Sequence, residues 1–177
     1  MIRLARRTAP VFAALAVLLP IGALAQSVTG SVGATITLTS ACEVNGSAAA
    51  SGVDFGTLDF GTHSTLFTSA TSEIDGNGSG AISVQCSPGS DATLTFNAGL
   101  NDGEATGGKR ALSNGTLYIP YDIYADAGHA NLLDNGDGVN ITADGSAQTV
   151  NVYGRALGAS GLTPGAYTDT ISVTLAF

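Results

Sequence analysis

The sequence predicts an all-β fold, a sandwich of short strands in one domain. Three observations carry the prediction. Apolar residues alternate with polar ones in several short runs, the period of a strand with one buried face. Clusters of Gly, Asn, Asp, Ser and Pro punctuate those runs, leaving roughly eight short strands at sandwich spacing. Beyond the first 25 residues no stretch carries the apolar spacing of an amphipathic helix.

The first residues, M-I-R-L-A-R-R-T-A-P-V-F-A-A-L-A-V-L-L-P-I-G-A-L-A, are predicted to be a signal peptide over 1–25. Arg3, Arg6 and Arg7 form a basic start, Ala13 to Leu19 a short apolar stretch, and Ala23-Leu24-Ala25 a small-x-small cleavage site. Of the 177 residues, 152 then remain, enough for one domain with a real core. That mature part keeps Lys109, Arg110 and Arg155 against 14 acids, a net charge of −11. Such a charge repels nucleic acid and anionic lipid. No later stretch is apolar enough to insert in a membrane, so the mature chain is expected to be soluble.

The elements follow in order. Ser27 to Leu38 places Val28, Gly30, Val32, Ala34, Ile36 and Leu38 on one face, with Thr29, Ser31, Gly33, Thr35 and Thr37 between them. Val53 to Phe60 (V-D-F-G-T-L-D-F) slips phase at Gly56, which predicts a bulge or bend. Ser64 to Ile74 is a Thr/Ser-rich strand candidate ending at the turn Asp75-Gly76-Asn77-Gly78. Gly80 to Cys86 alternates through Ile82 and Val84, and Ala92 to Ala98 through Leu94 and Phe96. Gly99 to Gly108 is a loop by composition. Leu117 to Ala125 holds Tyr118, Tyr121 and Tyr124, and Pro120 marks it as an edge strand or a bend. Asn135-Gly136 and Asp137-Gly138 are hairpin-type dipeptides. Gln148 to Leu157 reads as one alternating run through Val150 and Val152. After Pro164-Gly165, the chain closes with Tyr167, Asp169, Ile171, Val173, Leu175 and Phe177 on one face.

Cys42 and Cys86 are the only cysteines. In an exported protein they are expected to form one structural disulfide. The bridge closes a loop of about 45 residues, which the chain-entropy account values at roughly 4 kcal/mol. Their spacing does not suit C-x-x-C redox chemistry, and no histidine ligands accompany them.

Little points to catalysis, a cofactor or a metal. His63 and His129 lie in polar stretches and read as surface residues. Asp54 and Asp59 flank Gly56, where a turn or a solvated face accounts for them. Asp134 to Gly138 lacks the spacing and terminal Glu of a calcium loop. The N-x-S/T triplets at Asn45, Asn77, Asn114 and Asn140 are expected by chance in a chain this rich in such residues. The protein is therefore not expected to be an enzyme.

The chain ends are more telling. The last alternating strand reaches Phe177 with no strand after it, although an immunoglobulin-like sheet normally has a further neighbour there. An uncovered strand of this kind invites aggregation. At the other end lies the uncharged alternating run before Cys42. If Cys42 is tied into the body, only Thr39, Ser40 and Ala41 link that run to it. At about 12 residues, it extends roughly 40 Å and can reach a neighbouring domain.

The mature sequence resembles the spore coat protein U domain family, the pilin type of archaic chaperone–usher pili. The resemblance rests on V-T-G-S-V at 28–32, C-E-V at 42–44, F-G-T-L-D-F-G at 55–61, I-S-V-Q-C at 82–86 and Y-D-I-Y-A-D at 121–126. It continues with N-L-L at 131–133, V-Y-G-R at 152–155 and G-A-Y-T-D-T-I-S-V-T-L-A-F at 165–177. It implies an incomplete immunoglobulin-like β-sandwich at 40–177 with an N-terminal donor-strand segment at 26–39. The implied donor residues are Val28, Gly30, Val32, Ala34, Ile36 and Leu38. The implied acceptor strand, which pairs first with a chaperone, presents Ile171, Val173, Leu175 and Phe177.

The implied partners are a periplasmic pilus chaperone, an outer-membrane usher and further copies of the chain. The implied location is a cell-surface fimbrium reached through the periplasm, and the implied role is a structural pilus subunit supporting adhesion and biofilm formation. The alternative is a self-complemented secreted coat protein or carbohydrate-binding sandwich, in which the N-terminal strand pairs within its own domain.

Overall fold

The computed structural model describes residues 26–76, 78 and 80–177. The signal peptide expected at 1–25 and the glycosylation triplet at Asn77 lie outside the described residues. The chain divides into two units, Met1–Thr37 and Leu38–Phe177. The described part of the first carries no strand. The second contains β1 (Cys42–Val44), β2 (Thr57–Leu58), β3 (Ser69–Asp75), β4 (Ile82–Cys86), β5 (Ala92–Gly99) and β6 (Arg110–Ser113). It continues with β7 (Tyr118–Tyr124), β8 (Asp137–Ile141), β9 (Ala147–Val150), β10 (Tyr153–Leu157) and β11 (Ile171–Ala176).

These strands form three sheets, ordered β1-β4-β9, β2-β3-β10-β7-β6 and β11-β5-β8. Every ladder is antiparallel. One core joins all three: Ile82, Val84 and Val150 from the first, Ile119, Ile123 and Ala156 from the second, Leu94, Phe96 and Ile141 from the third. The all-β prediction holds, and no helix occurs among the described residues.

The alternating runs of β4 and β5 form as predicted, because their apolar positions bury on one face: Ile82, Val84 and Leu94 are fully enclosed. Three expectations need correction, and one strand was missed. Gln148 to Leu157 is two strands in two different sheets, β9 and β10, and the chain crosses between them at Asn151 and Val152. Alternation continues across the crossing because Val150 and Val152 both enter the same core. The Asp137-Gly138 dipeptide lies inside β8, with Gly138 opposite Thr95. The turn is made earlier, where the Asp137 N–H donates to the Asp134 carbonyl across Asn135-Gly136. Pro120 does not mark an edge or bend, since β7 lies between β10 and β6. It is tolerated because the β10 pairing ends at Tyr121↔Ala156, so at Pro120 the strand pairs only with β6, opposite Ala111. Finally, β6 was not anticipated.

That strand begins with Arg110, which is 1% exposed. Its Nη1 donates to the Leu133 carbonyl at 2.8 Å and its Nη2 to the Asn97 carbonyl at 3.3 Å. A buried guanidinium needs such acceptors, and here it ties the segment before β8 to β5. The neighbouring Lys109–Asp134 pair, at 3.1 Å, is exposed and contributes little.

The cysteines are bridged as expected. Cys42 and Cys86 are register partners of β1 and β4 with Cα atoms 4.1 Å apart. The flanking hydrogen bond from the Ser87 N–H to the Ala41 carbonyl makes theirs the close, non-hydrogen-bonded kind of cross-strand pair. Gly154 of β10 serves packing instead. A Cβ built there would stand 2.8 Å from Phe60 Cζ, so the glycine is what lets that ring lie on the sheet.

Two stability outcomes follow. Replacing both cysteines by serine should cost about 4 kcal/mol in the chain-entropy account, read as a lower urea midpoint. Gly154→Val should cost roughly 1–3 kcal/mol by overpacking, with Gly154→Ala less affected; an unchanged midpoint for both would remove Phe60 packing as the reason for the glycine.

Candidate functional site, an apolar groove

The unit Leu38–Phe177 contains an open groove of about 790 Å³. One wall is β11. Its Ile171, Val173 and Leu175 are half-buried while Ser172, Thr174 and Ala176 between them are exposed. The opposite wall comes from the Val53–Phe60 stretch, with Val53, Phe55, Leu58 and Phe60, and Phe96, Ile123 and Val152 line it from the core. The lining follows β11 from Asp169 to Phe177, so the groove runs along the strand.

The local sequence explains why this wall stays open. β11 pairs with β5 on one side, from Ile171↔Gly99 to Ala176↔Thr93, with a register shift between Ile171 and Val173. Its other edge has no strand paired to it among the described residues. The facing wall is mostly irregular because Asp54 and Asp59 each form a local turn instead of a ladder: the Gly56 N–H donates to Asp54 Oδ1 and the Gly61 N–H to Asp59 Oδ1, each at 2.8 Å. Gly56, at φ 118°, completes the bend. Thus the predicted phase slip at Gly56 reduces a long strand to the two residues of β2.

One end of the groove is polar. Tyr121 Oη donates to Asp169 Oδ2 at 2.7 Å, while Asp169 Oδ1 accepts from the Leu100 N–H at 2.9 Å and from Asn101 Nδ2 at 3.1 Å. Burial first, then the hydrogen bond to the carboxylate, holds the Tyr121 hydroxyl far above the ordinary tyrosine range. Phe60 meets the Tyr121 ring edge-on, with centroids 5.8 Å apart. The Tyr121–Asp169 pair, 48 residues apart in sequence, was not foreseen. The available signal was a carboxylate on the otherwise apolar face of the last strand, which needs a partner if that face is buried.

The four residues named for the acceptor strand, Ile171, Val173, Leu175 and Phe177, all line the groove. Phe177 is the most open of them, at 60% exposure. Of the residues named for the donor segment, Val28 is 99% exposed, Val32 97%, Ile36 84% and Leu38 82%. Residues 26–40 carry no strand.

The side chains considered for chemistry have local structural tasks. His63 is exposed, and its Nε2 lies 2.7 Å from the Phe60 carbonyl. His129 differs from the expectation: it is half-buried at φ 55°, with its ring edge-on to Tyr124 at 5.0 Å. Asn45, also at positive φ, donates to the Asp54 carbonyl and accepts from the Ser83 N–H. Asn114 accepts from the N–H groups of Thr116 and Leu117. Among the described residues, no group of three His, Cys, Asp or Glu side chains is placed to hold a metal.

The Tyr121 hydroxyl makes a pH test. Its folded pKa is raised above the unfolded value of about 10, so its contribution to stability is present below that pH and is lost as pH rises beyond it. Tyr121→Phe should lower stability at neutral pH by about 1.5–3 kcal/mol and flatten the alkaline decline. Equal slopes for the two proteins in urea titrations above pH 10 would remove Tyr121 as the source.

The sequence matches the Spore Coat Protein U domain over residues 28–174. It is 31% identical over 136 residues to Protein U of Myxococcus xanthus, covering 72% of this chain and 75% of that protein. Among solved structures it is similar, at a TM-score of 0.44 and 18% identity, to the CsuC–CsuE chaperone–tip adhesion subunit pre-assembly complex from the archaic chaperone–usher Csu pili of Acinetobacter baumannii. That similarity covers 80% of this chain and 40% of the other, so this chain spans less than half of its length. By the match along residues 28–174 and the identity to Protein U, the chain belongs to the Spore Coat Protein U domain family.

Proposed function

We propose that the chain is a structural subunit of a surface fibre of the chaperone–usher type, polymerised by inserting residues 26–39 of one copy into the groove of the next. The observation that carries the reading is the open groove beside β11. Its wall has half-buried apolar side chains and an edge that no described strand pairs, and the same chain carries an alternating segment whose large apolar side chains are exposed. The match to the Spore Coat Protein U domain supports it.

The fit is physical. The donor face repeats every second residue at 28, 30, 32, 34, 36 and 38, and the wall repeats likewise at 171, 173, 175 and 177. No charged residue occurs between Gln26 and Cys42, so insertion desolvates no charge. Burying Val28, Val32, Ile36 and Leu38 at about 1.5–3 kcal/mol each gives roughly 6–12 kcal/mol, besides the main-chain bonds to β11. A head-to-tail contact of this type does not close on itself and gives a fibre.

Before polymerisation the groove needs a temporary strand, the task of a periplasmic chaperone, and an outer-membrane usher is the site of exchange. The assembled fibre then lies on the cell surface, where adhesion and biofilm formation are its roles.

Deleting 26–39 should abolish the ladder of polymers on unboiled gels yet preserve chaperone binding. Ile36→Asp and Val173→Asp should each reduce the ladder at least tenfold, because either variant buries a charge in the groove. A wild-type protein that stays monomeric, with a deletion that only unfolds it, would instead identify a self-complemented coat protein or carbohydrate-binding sandwich.

A further inference from the structure

We infer that Leu100, at the Asp169 end of the groove, is a docking point for the body of the next copy in the fibre, separate from the inserted strand. The inference rests on the polymerisation proposed above.

Leu100 is 78% exposed. A single exposed leucine on a loose loop means little, but this one stands on a fixed backbone. Its N–H donates to Asp169 Oδ1, Asn101 binds the same oxygen, and the preceding Gly99 N–H donates to Asp102 Oδ1 at 2.9 Å. The backbone that carries the exposed side chain is therefore fixed beside Asp169, a residue of the groove lining.

The fold tells what meets it. Cys86 passes through the Ser87–Ser90 turn directly into Ala92, the start of β5, whereas Leu100 follows the end of β5. Hence the Cys42–Cys86 bridge lies toward the Phe177 end of the groove and Leu100 toward the other. The chain preceding Cys42 is pinned at the bridge end, because the Ala41 N–H donates to Ser87 Oγ at 3.0 Å and its carbonyl accepts from the Ser87 N–H. In each body the chain before Cys42 is thus attached at one pole, and the Leu100 end of the groove lies at the opposite one.

Every ladder in the body is antiparallel, and an inserted strand that continues this pattern runs antiparallel to β11. Its last residue, Leu38, then emerges beside Asp169. Only Thr39, Ser40 and Ala41 separate Leu38 from Cys42, about 10 Å of extended chain. So short a link brings the bridge pole of the incoming copy, with the exposed Pro88 of its turn, against the pole that carries Leu100. A parallel insertion would instead crowd two bridge poles together, where the acceptor's own segment must also leave.

The test compares the wild-type full chain with Leu100→Asp and Leu100→Ala, each assembled with its chaperone and usher. Strand insertion is read from the unboiled ladder and fibre order from electron micrographs. Both variants should keep the ladder, while the fibre's persistence length falls several-fold in Leu100→Asp and less in Leu100→Ala. The uncharged variant keeps the comparison valid if the aspartate variant fails to accumulate. Unchanged ladder and unchanged fibre order in the variants would overturn the docking role alone. A wild type that forms no ladder would overturn the polymerisation reading, and this inference with it.

Discussion

The edge of β11 that no described strand pairs is the constraint around which the rest of the body is arranged. A strand edge presents a row of unsatisfied N–H and C=O groups. Here that edge also adjoins an apolar face: Ile171, Val173 and Leu175 turn toward the core but remain half-buried. On the β5 side both demands are met by the ladder from Ile171↔Gly99 to Ala176↔Thr93. On the open side neither is met by the described residues of the body. One added strand satisfies both together, since it supplies hydrogen-bond partners and side chains at the same two-residue period.

The surrounding structure keeps the groove open without letting it collapse. Phe60 is seated over Gly154 and against Tyr121, and Tyr121 is anchored to Asp169. Asp169 in turn holds Leu100 and Asn101. This small network links the two walls and the mouth, and its Tyr121–Asp169 and Asn101–Asp169 bonds are partly buried, where a hydrogen bond to a carboxylate is worth more than at the surface. Arg110, opposite Tyr121 in the β6–β7 ladder, does comparable work, tying the segment before β8 to β5 through two backbone carbonyls. The body is therefore braced although one edge is unfilled. Such bracing suits the proposed strand insertion, which gains from a groove that is formed beforehand.

Several parts of this arrangement were legible in the sequence for simple reasons. The runs of β4, β5 and β11 show the two-residue period because one face of each meets the core. The Cys42–Cys86 pairing follows from there being two cysteines in a chain whose first residues read as an export-type leader. What misled was equally physical. Gln148 to Leu157 alternates without interruption, yet the chain changes sheets inside it, because both sheets share one core and the period does not record which sheet a residue joins. Pro120 signals a missing N–H, and only the extent of the β10 ladder decides that the loss falls where no partner stands. β6 is four residues long and begins with an arginine, so neither its period nor its polarity announced a buried strand. His129 sits in polar sequence, but its ring is laid on Tyr124 by a backbone at positive φ.

The sequence by itself determined the all-β class, the disulfide and the two alternating terminal segments, because these depend on local period and composition. The alternating apolar face of Ile171, Val173, Leu175 and Phe177 belongs to the same category. The tertiary structure decided how the features of the body are arranged. It set the walls of the groove by bending the Val53–Phe60 stretch through two aspartate turns. It joined Tyr121 to Asp169 across 48 residues, and it set the bridge and Leu100 at opposite ends of β5. Distances of that kind come from how strands are ordered in sheets, and alternation along a chain carries no record of that order.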